Sequence, residues 1–99
     1  MDHAWNKVRQ EVYNSLEAAL KKEKLKVTED ELWNSIEEPP SAKMGDLACS
    51  ISFPLGKKAR KSPRDIAEQI LAVVKKPKHV KKVALAGAYV NFFLDRNAF

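Results

Sequence analysis

Reactive and metal-binding side chains are scarce in this 99-residue chain, which has one cysteine, Cys49, and two histidines, His3 and His79. A lone cysteine cannot form an internal disulfide, and neither histidine has a second histidine or cysteine at the spacing of a zinc site. Cys49 has no histidine in its own segment that would activate it as a nucleophile. These absences predict no catalytic or metal-binding residues and argue against a stand-alone enzyme. The cysteine usage also fits a reducing, cytoplasmic compartment.

Glycine is also rare, with three residues, and long apolar runs are missing because charged residues interrupt them. Gly45-Asp46 is too short to be a phosphate-binding loop, since no glycine repeat and no Gly-Lys-Ser/Thr sequence follows it. We therefore expect no bound cofactor in this chain. The sequence shows neither a recognisable signal peptide nor an apolar stretch that would span a membrane, so we expect no membrane partner.

Positive charge is what the composition does contain: 18 lysines and arginines stand against 13 aspartates and glutamates, a net charge of +5. This balance favours an anionic partner, nucleic acid first, although it also fits a soluble protein whose charges only solvate it. The length fits one small domain. The basic residues form three clusters: Lys21, Lys22, Lys24 and Lys26; Lys57, Lys58, Arg60, Lys61 and Arg64; Lys75, Lys76, Lys78, Lys81 and Lys82. The second cluster lies on a short predicted helix and the turn after it, which can form a compact patch for phosphates.

Three helices are predicted from the pattern of the sequence. Apolar residues at spacings of three and four predict a helix from about Asp2 to Lys24. A shorter helix is predicted from about Phe53 to Lys61. Ser62 as N-cap and Pro63 at the first helical position predict a third helix, which ends before Pro77.

Strand signals occur in four segments. Leu32 to Ile36 is predicted as a short strand. Gly45 to Phe53 alternates small and apolar residues and is either a strand or the first turn of a helix. Val80 to Ala86 and Tyr89 to Leu94 are predicted as the two strands of a hairpin or bulged pair, with Gly87 at the bend.

The last of these strands carries the most informative pattern. Because side chains two residues apart point to the same face of a strand, Tyr89, Asn91 and Phe93 share one face. The other face is wholly apolar and is expected to lie in the core: Val90, Phe92 and Leu94. A ring beside an amide is the combination that reads unpaired bases, through stacking and hydrogen bonds to base edges. The alternative is an ordinary half-buried strand in which backbone groups satisfy Asn91.

Three segments, in order, resemble one known family. Gly45 to Ala48, followed by Leu55 to Lys58, resembles a Gly-Asp-aromatic/Leu-Ala/Ser pattern followed by Leu-Ala-Lys-Lys. Lys61 to Glu68 resembles Lys-Asn-Pro-Arg-Glu-Ile-Ala-Glu, and Ala86 to Leu94 resembles Ala-Gly-Pro-Gly-Phe/Tyr-Ile-Asn-Phe. Each motif is weak alone, but their order and spacing are specific. On these motifs the chain, residues 1–99, resembles the N-terminal additional domain of class I arginyl-tRNA synthetases.

The resemblance implies both a fold and a function. The fold is α+β, with a small antiparallel sheet packed against about three helices in a single two-layer domain. The domain contacts the D-loop at the outer corner of tRNA(Arg) and positions it for arginylation by the catalytic domain of the same polypeptide; no DNA partner is expected. The family's base-reading aromatic and amide match Tyr89 and Asn91. The second basic cluster is then expected to hold the tRNA backbone.

The resemblance also marks what the chain lacks. Signatures of arginine activation, of the His-Ile-Gly-His and Lys-Met-Ser-Lys-Ser types, are absent, so the catalytic and anticodon-binding domains, with ATP and Mg, belong to a full-length enzyme. Ala88 replaces the family's second glycine, which removes freedom to adopt positive φ at this bend. The alternative function is a stand-alone or inter-domain protein-interaction module without base readout. Burial of Tyr89 and Asn91 against the domain's own helices would favour it.

Overall fold

The structure, a computed structural model, describes residues 2–95, with the side chains of residues 2–5 and of Ala42 left out. Its elements follow one another as α1 (Asp2–Lys22), α2 (Glu29–Asn34), β1 (Ile36–Glu37), a short 3₁₀ turn (Ala42–Met44), β2 (Leu47–Cys49), α3 (Ser52–Ala59), α4 (Pro63–Val73), β3 (Val80–Ala86) and β4 (Tyr89–Leu94). The four strands form one antiparallel sheet in the order β1-β2-β4-β3. The α+β class and the antiparallel sheet expected from the resemblance are confirmed.

The core lies between one face of the sheet and the helices. Residues of α1 and α4 pack against the apolar face of β4, and all of them are at most 3% exposed: Val8, Val12, Leu16, Leu20, Ile66, Ile70, Val90, Phe92 and Leu94. Full burial of a large apolar side chain stabilises the fold by about 1.5–3 kcal/mol. The sheet therefore has one face fixed by helix packing, which leaves the opposite face of β4 for other contacts.

The β3–β4 hairpin forms as predicted, with β4 in the interior of the sheet and β3 at its edge. Val83 pairs with Phe92, Ala84 with Asn91 and Ala86 with Tyr89, and the register shifts between Val80 and Lys82. Gly87 adopts a positive φ of 58°, whereas Ala88 is not among the described residues with positive φ. Only the first position of this turn requires left-handed backbone, so alanine at the second is compatible with it.

The predicted starts of the later helices are close to those observed. The Ser62 hydroxyl accepts a hydrogen bond from the Asp65 amide at 3.1 Å, and Pro63 begins α4. This is the cap-and-proline signal read from the sequence. The shorter helix α3 covers Ser52–Ala59, close to the predicted Phe53 to Lys61. The ambiguous segment before it divides into strand β2 and the first turn of α3.

The strand predicted from Leu32 to Ile36 is wrong, because Glu29–Asn34 is helix α2. Thr28 caps this helix: its hydroxyl accepts from the Glu31 amide at 3.0 Å, and its own amide donates to the Glu31 carboxylate at 2.8 Å. This reciprocal capping box is a strong helix-start signal, and it outweighs the short apolar run that follows. Strand β1 starts only at Ile36 and has two residues.

Candidate nucleic-acid interface

The structure confirms that β4 alternates between two faces, but it buries Asn91. Val90 and Phe92 are 0% exposed and lie in the core, while Tyr89 and Phe93, on the opposite face, are half-buried. Asn91 is 1% exposed, and its strand partner Ala48 is a buried apolar residue outside the hydrophobic core cluster, which places both on the face opposite the core. The sequence predicted the direction of its side chain correctly. Because Asn91 is buried, its amide is not exposed to a partner on this face, contrary to the expectation from the sequence.

Small residues and a loop surround Asn91. Its partners on the two neighbouring strands are Ala48 and Ala84. Gly45 passes so close that a Cβ added to it would lie 3.5 Å from the Asn91 Cβ and 3.0 Å from the Phe92 carbonyl oxygen. The next residue, Asp46, fastens this passage: its amide donates to that carbonyl at 2.9 Å, and its carboxylate accepts from the Leu94 amide at 2.9 Å. A bonded loop thus lies against Asn91 on its own side of the sheet.

These neighbours do not supply hydrogen-bond partners for all the polar atoms of the Asn91 amide. Its Oδ1 is buried and has no hydrogen-bond partner among the described residues. A buried acceptor without a partner costs about 1–3 kcal/mol, so a sequence under no other constraint gains by placing an apolar residue here. Backbone groups therefore do not satisfy this oxygen, contrary to the ordinary-strand alternative. The unpaired oxygen is a polar atom for which packing alone gives no reason.

Tyr89 lies against a second aromatic side chain that the sequence reading passed over. The rings of Phe53 and Tyr89 are 5.1 Å apart between centroids and are inclined by 60°. Phe53 is a large hydrophobic side chain that is 41% exposed, on a helix whose buried positions are Ser52, Leu55 and Gly56. A helical projection of α3 would have placed Phe53 off that buried stripe, which is the signal that could have found it. Together the two rings form an aromatic surface at one end of β4.

The second basic cluster lies at the junction of α3 and α4, and all five of its members are exposed: Lys57, Lys58, Arg60, Lys61 and Arg64. Arg60 ends α3 with a left-handed φ of 56°, which turns the chain into α4. Arg64 reaches the hairpin, where its Nη1 donates to the Gly87 carbonyl oxygen at 3.1 Å. Because Arg64 bonds the turn that precedes Tyr89, and Phe53 in the first turn of α3 contacts the Tyr89 ring, the cluster adjoins the aromatic pair through Arg64.

Two of these cations already have acidic neighbours. Lys58 Nζ lies 3.6 Å from Glu31 Oε2, and Arg64 Nε lies 3.2 Å from Glu68 Oε2. Exposed ion pairs of this kind contribute about 0–1 kcal/mol, so they are easily exchanged for contacts with phosphate. The hydrogen bond from the Thr28 backbone is the largest cause that lowers the pKa of Glu31, and the Lys58 ammonium is the next.

A small cavity of about 180 Å³ opens beside Tyr89. Its walls combine two carboxylates with apolar and proline side chains: Glu37, Glu38, Pro39, Pro40, Met44, Ala48 and Tyr89. Carboxylate oxygens accept hydrogen bonds from amino groups on base edges. The two carboxylates therefore favour a group with a hydrogen-bond donor edge over a phosphate.

The remaining reactive side chains have structural surroundings. Burial raises the pKa of the Cys49 thiol to about 11, and its sulfur lies 3.3 Å from the Ser35 hydroxyl. The His79 Nδ1 lies 2.9 Å from both carboxylate oxygens of Glu11, which joins the start of β3 to α1. Within residues 2–95, and leaving aside the undescribed side chains of residues 2–5 and of Ala42, no group of three or more histidine, cysteine, aspartate or glutamate side chains is placed to hold a metal ion. In the same range no helix combines the length and the apolar character needed to cross a membrane.

Comparison with known proteins gives one consistent result. The family described as "Arginyl tRNA synthetase N terminal domain" matches residues 6–94. The arginine–tRNA ligase of Methanosphaera stadtmanae is 35% identical over 95 residues, which are 96% of this chain and 16% of that relative. The arginine–tRNA ligase of Methanothermobacter thermautotrophicus is 36% identical over 92 residues, 93% of this chain and 16% of that relative.

A solved structure agrees with these relatives. Thermus thermophilus arginyl-tRNA synthetase superimposes with a TM-score of 0.79 and 29% sequence identity, and the match covers 91% of this chain and 14% of that chain. This chain thus corresponds to about one-sixth of the relatives that it matches. Because the family match spans nearly all of it, the chain belongs to the family of arginyl-tRNA synthetase N-terminal domains.

Proposed function

We propose that this chain is the tRNA-binding domain of an arginyl-tRNA synthetase, which contacts the D-loop at the outer corner of tRNA(Arg) and positions the tRNA for arginylation by a catalytic domain of the same polypeptide. The observation that carries the proposal is the aromatic pair of Phe53 and Tyr89 beside the exposed cations of the α3–α4 junction. Aromatic rings next to basic residues are the surface that holds unpaired nucleotides. ATP and Mg would be bound elsewhere in that cytoplasmic enzyme.

The proposed contacts divide into stacking and positioning. Tyr89 stacks on an unpaired D-loop base, and Phe53 supports its ring from the side. The cluster at the α3–α4 junction (Lys57, Lys58, Arg60, Lys61 and Arg64) holds phosphates, which fixes the orientation of the tRNA without reading sequence. Arg64 links the two parts because it also bonds the turn that precedes Tyr89.

Asn91 reads the base in this proposal through its unpartnered Oδ1. A hydrogen-bond donor on the base edge would satisfy an acceptor that the protein leaves unpaired. Since Asn91 is 1% exposed, the contact requires the groups around it, which include the loop through Gly45, to move aside. Base readout at this position therefore includes a local rearrangement, whereas stacking on Tyr89 does not.

The burial of Asn91 also favours a second candidate function, an inter-domain interaction module without base readout. In that case Asn91 only packs between the sheet and the loop, and the exposed Phe53 contacts a neighbouring domain. The two candidates differ in their response to salt. Binding to tRNA depends on counterion release and weakens steeply as salt is added, whereas an apolar domain contact does not.

The test is a filter-binding titration of the 99-residue chain with a tRNA(Arg) transcript over a range of salt concentrations. We expect weak binding, no aminoacylation, and a plot of log affinity against log salt with a clear negative slope. Lys58→Ala should reduce that slope by about one and weaken binding to all tRNAs alike, because a phosphate contact carries no sequence information. Affinity that is independent of salt, or aminoacylation by this chain alone, would contradict the proposal.

A further inference from the structure

We propose a second nucleotide-binding position at Phe93 and Lys82, so that the two ends of β4 hold two different bases of one single-stranded RNA loop. The inference rests on the proposed function, since it assigns a further contact to the same RNA. It concerns the third basic cluster, which has no role in the contacts described above. The proposed ligand is an unpaired nucleotide, held by stacking of its base and by one cation on its phosphate.

Strand geometry places Phe93 on the same face as Tyr89. Phe93 is the fourth residue after Tyr89, which at a rise of about 3.3 Å per residue places it roughly 13 Å away. Phe93 is half-buried, so part of its ring is accessible. Between the two rings the face is closed over Asn91, whose neighbours across the sheet are Ala48 and Ala84. The rings are therefore two separate positions and not one continuous platform.

Lys82 supplies the charge at this second position. It pairs with Phe93 in the register of the hairpin, and its Nζ lies 4.5 Å from the centre of the Phe93 ring. Its neighbours in the third cluster, Lys76, Lys78 and Lys81, are also exposed. Lys81 and Lys82 are adjacent on β3, the edge strand of the sheet, and the Lys76 Nζ donates to the Lys81 carbonyl oxygen at 3.4 Å, so these cations lie along that edge. An aromatic ring beside a row of cations fits a single-stranded nucleotide chain better than a neutral partner.

The contact between Lys82 and Phe93 is weak enough to be exchanged. An exposed cation–π contact changes an equilibrium by about two- to five-fold, whereas a base stacked on an aromatic ring contributes about five- to 150-fold. A base that takes the place of the ammonium over the ring is therefore favoured. The released ammonium stays within reach of the phosphate of the same nucleotide, so the charge is not lost from the site.

The test measures the affinity of the 99-residue chain for a tRNA(Arg) transcript. Phe93→Leu removes the ring and should weaken binding at least about five-fold, whereas Phe93→Tyr keeps a ring and should bind within about two-fold of the unchanged chain. Circular dichroism and thermal melting establish that both variants fold. The loss for Phe93→Leu should disappear when the transcript carries a shortened D-loop, because the second base is then absent.

A matched pair of lysine variants tests the cation. Lys82→Gln and Lys81→Gln remove the same charge from adjacent residues, but only Lys82 has its ammonium over the Phe93 ring among the described contacts. Lys82→Gln should weaken binding more and should lower the salt slope by about one. Equal losses for the two variants would show that the charge acts only as part of a diffuse field, and would overturn the assignment of Lys82.

Comparison with Tyr89→Leu separates this inference from the proposed function. If Tyr89→Leu weakens binding and folded Phe93→Leu does not, the second position is overturned while the proposed function stands. If Phe93→Leu weakens binding and Tyr89→Leu does not, Phe93 is the contact and the proposed role of Tyr89 is overturned. If both variants weaken binding, the second position and the proposed function are both supported. If neither variant weakens binding, both proposals are overturned.

Discussion

The two faces of β4 are made from alternate residues of one six-residue strand, yet they differ in how far sequence determines them. The inner face, Val90, Phe92 and Leu94, is 0–3% exposed and packs under the helices as its pattern predicted. On the outer face Tyr89 and Phe93 are half-buried, but Asn91 is 1% exposed. A period of two determines the direction of a side chain. It contains no information about the loop that lies over that side chain.

The two faces also differ in what burial contributes. An apolar side chain in the core needs no specific partner, so burial of the inner face simply adds stability. Burial of Asn91 leaves its Oδ1 without a partner among the described residues, which opposes stability. We therefore expect the inner face to dominate the stability of the domain and the outer face to dominate binding. The following predictions test that division, from the largest expected effect to the smallest.

The largest effect is expected for Phe92→Ala on the inner face. Among the described residues Phe92 is the largest fully buried side chain, and its removal should cost about 3–5 kcal/mol of unfolding free energy through lost burial and the cavity left behind. Chemical denaturation measures this cost. The adjacent Phe93→Ala is the matched control, since the same change on the half-buried outer face should cost clearly less. Equal costs for the two variants would remove the distinction between the faces.

Cys49 pairs with Val90 in the sheet. Because its thiol is buried there, we expect the domain to lose stability at high pH. Burial raises the pKa of its thiol from 9.0 to about 11, so the folded state holds the proton more tightly than the unfolded state. The neutral thiol therefore adds about 2–3 kcal/mol to the free energy of unfolding below pH 9, and this stabilisation is lost as the pH rises to about 11. When denaturation is measured between pH 8 and 11, the free energy of unfolding should decline less steeply for Cys49→Ala than for the unchanged chain. Identical slopes for the two proteins would contradict the raised pKa.

Because the loop through Gly45 lies against Asn91, we expect substitutions of two glycines, Gly45 and Gly87, to differ in their cost in stability. Both have positive φ, 93° at Gly45 and 58° at Gly87, but a Cβ on Gly45 would lie 3.0 Å from the Phe92 carbonyl oxygen, whereas one on Gly87 has nothing within 4 Å. Gly87→Ala should cost about 1–2 kcal/mol for backbone conformation alone. Gly45→Ala should cost more, because the loop must also move. Thermal melting compares the two, and an equal loss would show that the loop adapts freely.

The smallest effect on stability, and the largest on function, is expected for the outer face. In the full-length enzyme, Tyr89→Ala should reduce tRNA affinity by about 1–3 kcal/mol through lost stacking. Asn91→Ala should reduce discrimination at one D-loop base by about 1–3 kcal/mol, and because it removes an unpaired buried oxygen it should not lower stability appreciably. Aminoacylation kinetics on tRNA variants at that base measure both.

The outcome for Asn91 separates the two candidate functions. If Asn91→Ala lowers activity equally on every tRNA variant, or if both outer-face variants unfold, the residues are structural and base readout is wrong. A loss of discrimination with the melting temperature unchanged would support readout. The matched variant Asn91→Asp keeps the size of the side chain but brings a charge into a buried position, so it should destabilise the domain where Asn91→Ala does not.

Local signals determined those parts of the fold whose physical cause lies within a few residues. Ser62 and Pro63 start α4 because a cap and a fixed φ act within one turn, and Gly87 bends the hairpin because it alone supplies the positive φ. The segment before β1 shows the limit of this reading. The Thr28 capping box is a local signal that the sequence contains, but the strand was predicted from the segment Leu32 to Ile36 alone, and Glu29–Asn34 is a helix.

The sequence by itself determined the family, the helix and strand pattern of the second half, and the side of β4 on which each residue lies, because these depend on order, spacing and backbone periodicity. Only the tertiary structure decided that Phe53 meets Tyr89, that Arg64 bonds Gly87, and that a loop through Gly45 lies against Asn91. Each of these contacts joins residues 23 to 46 positions apart. Such pairs meet only when packing of the helices on the sheet fixes where distant segments lie, and no local pattern carries that information.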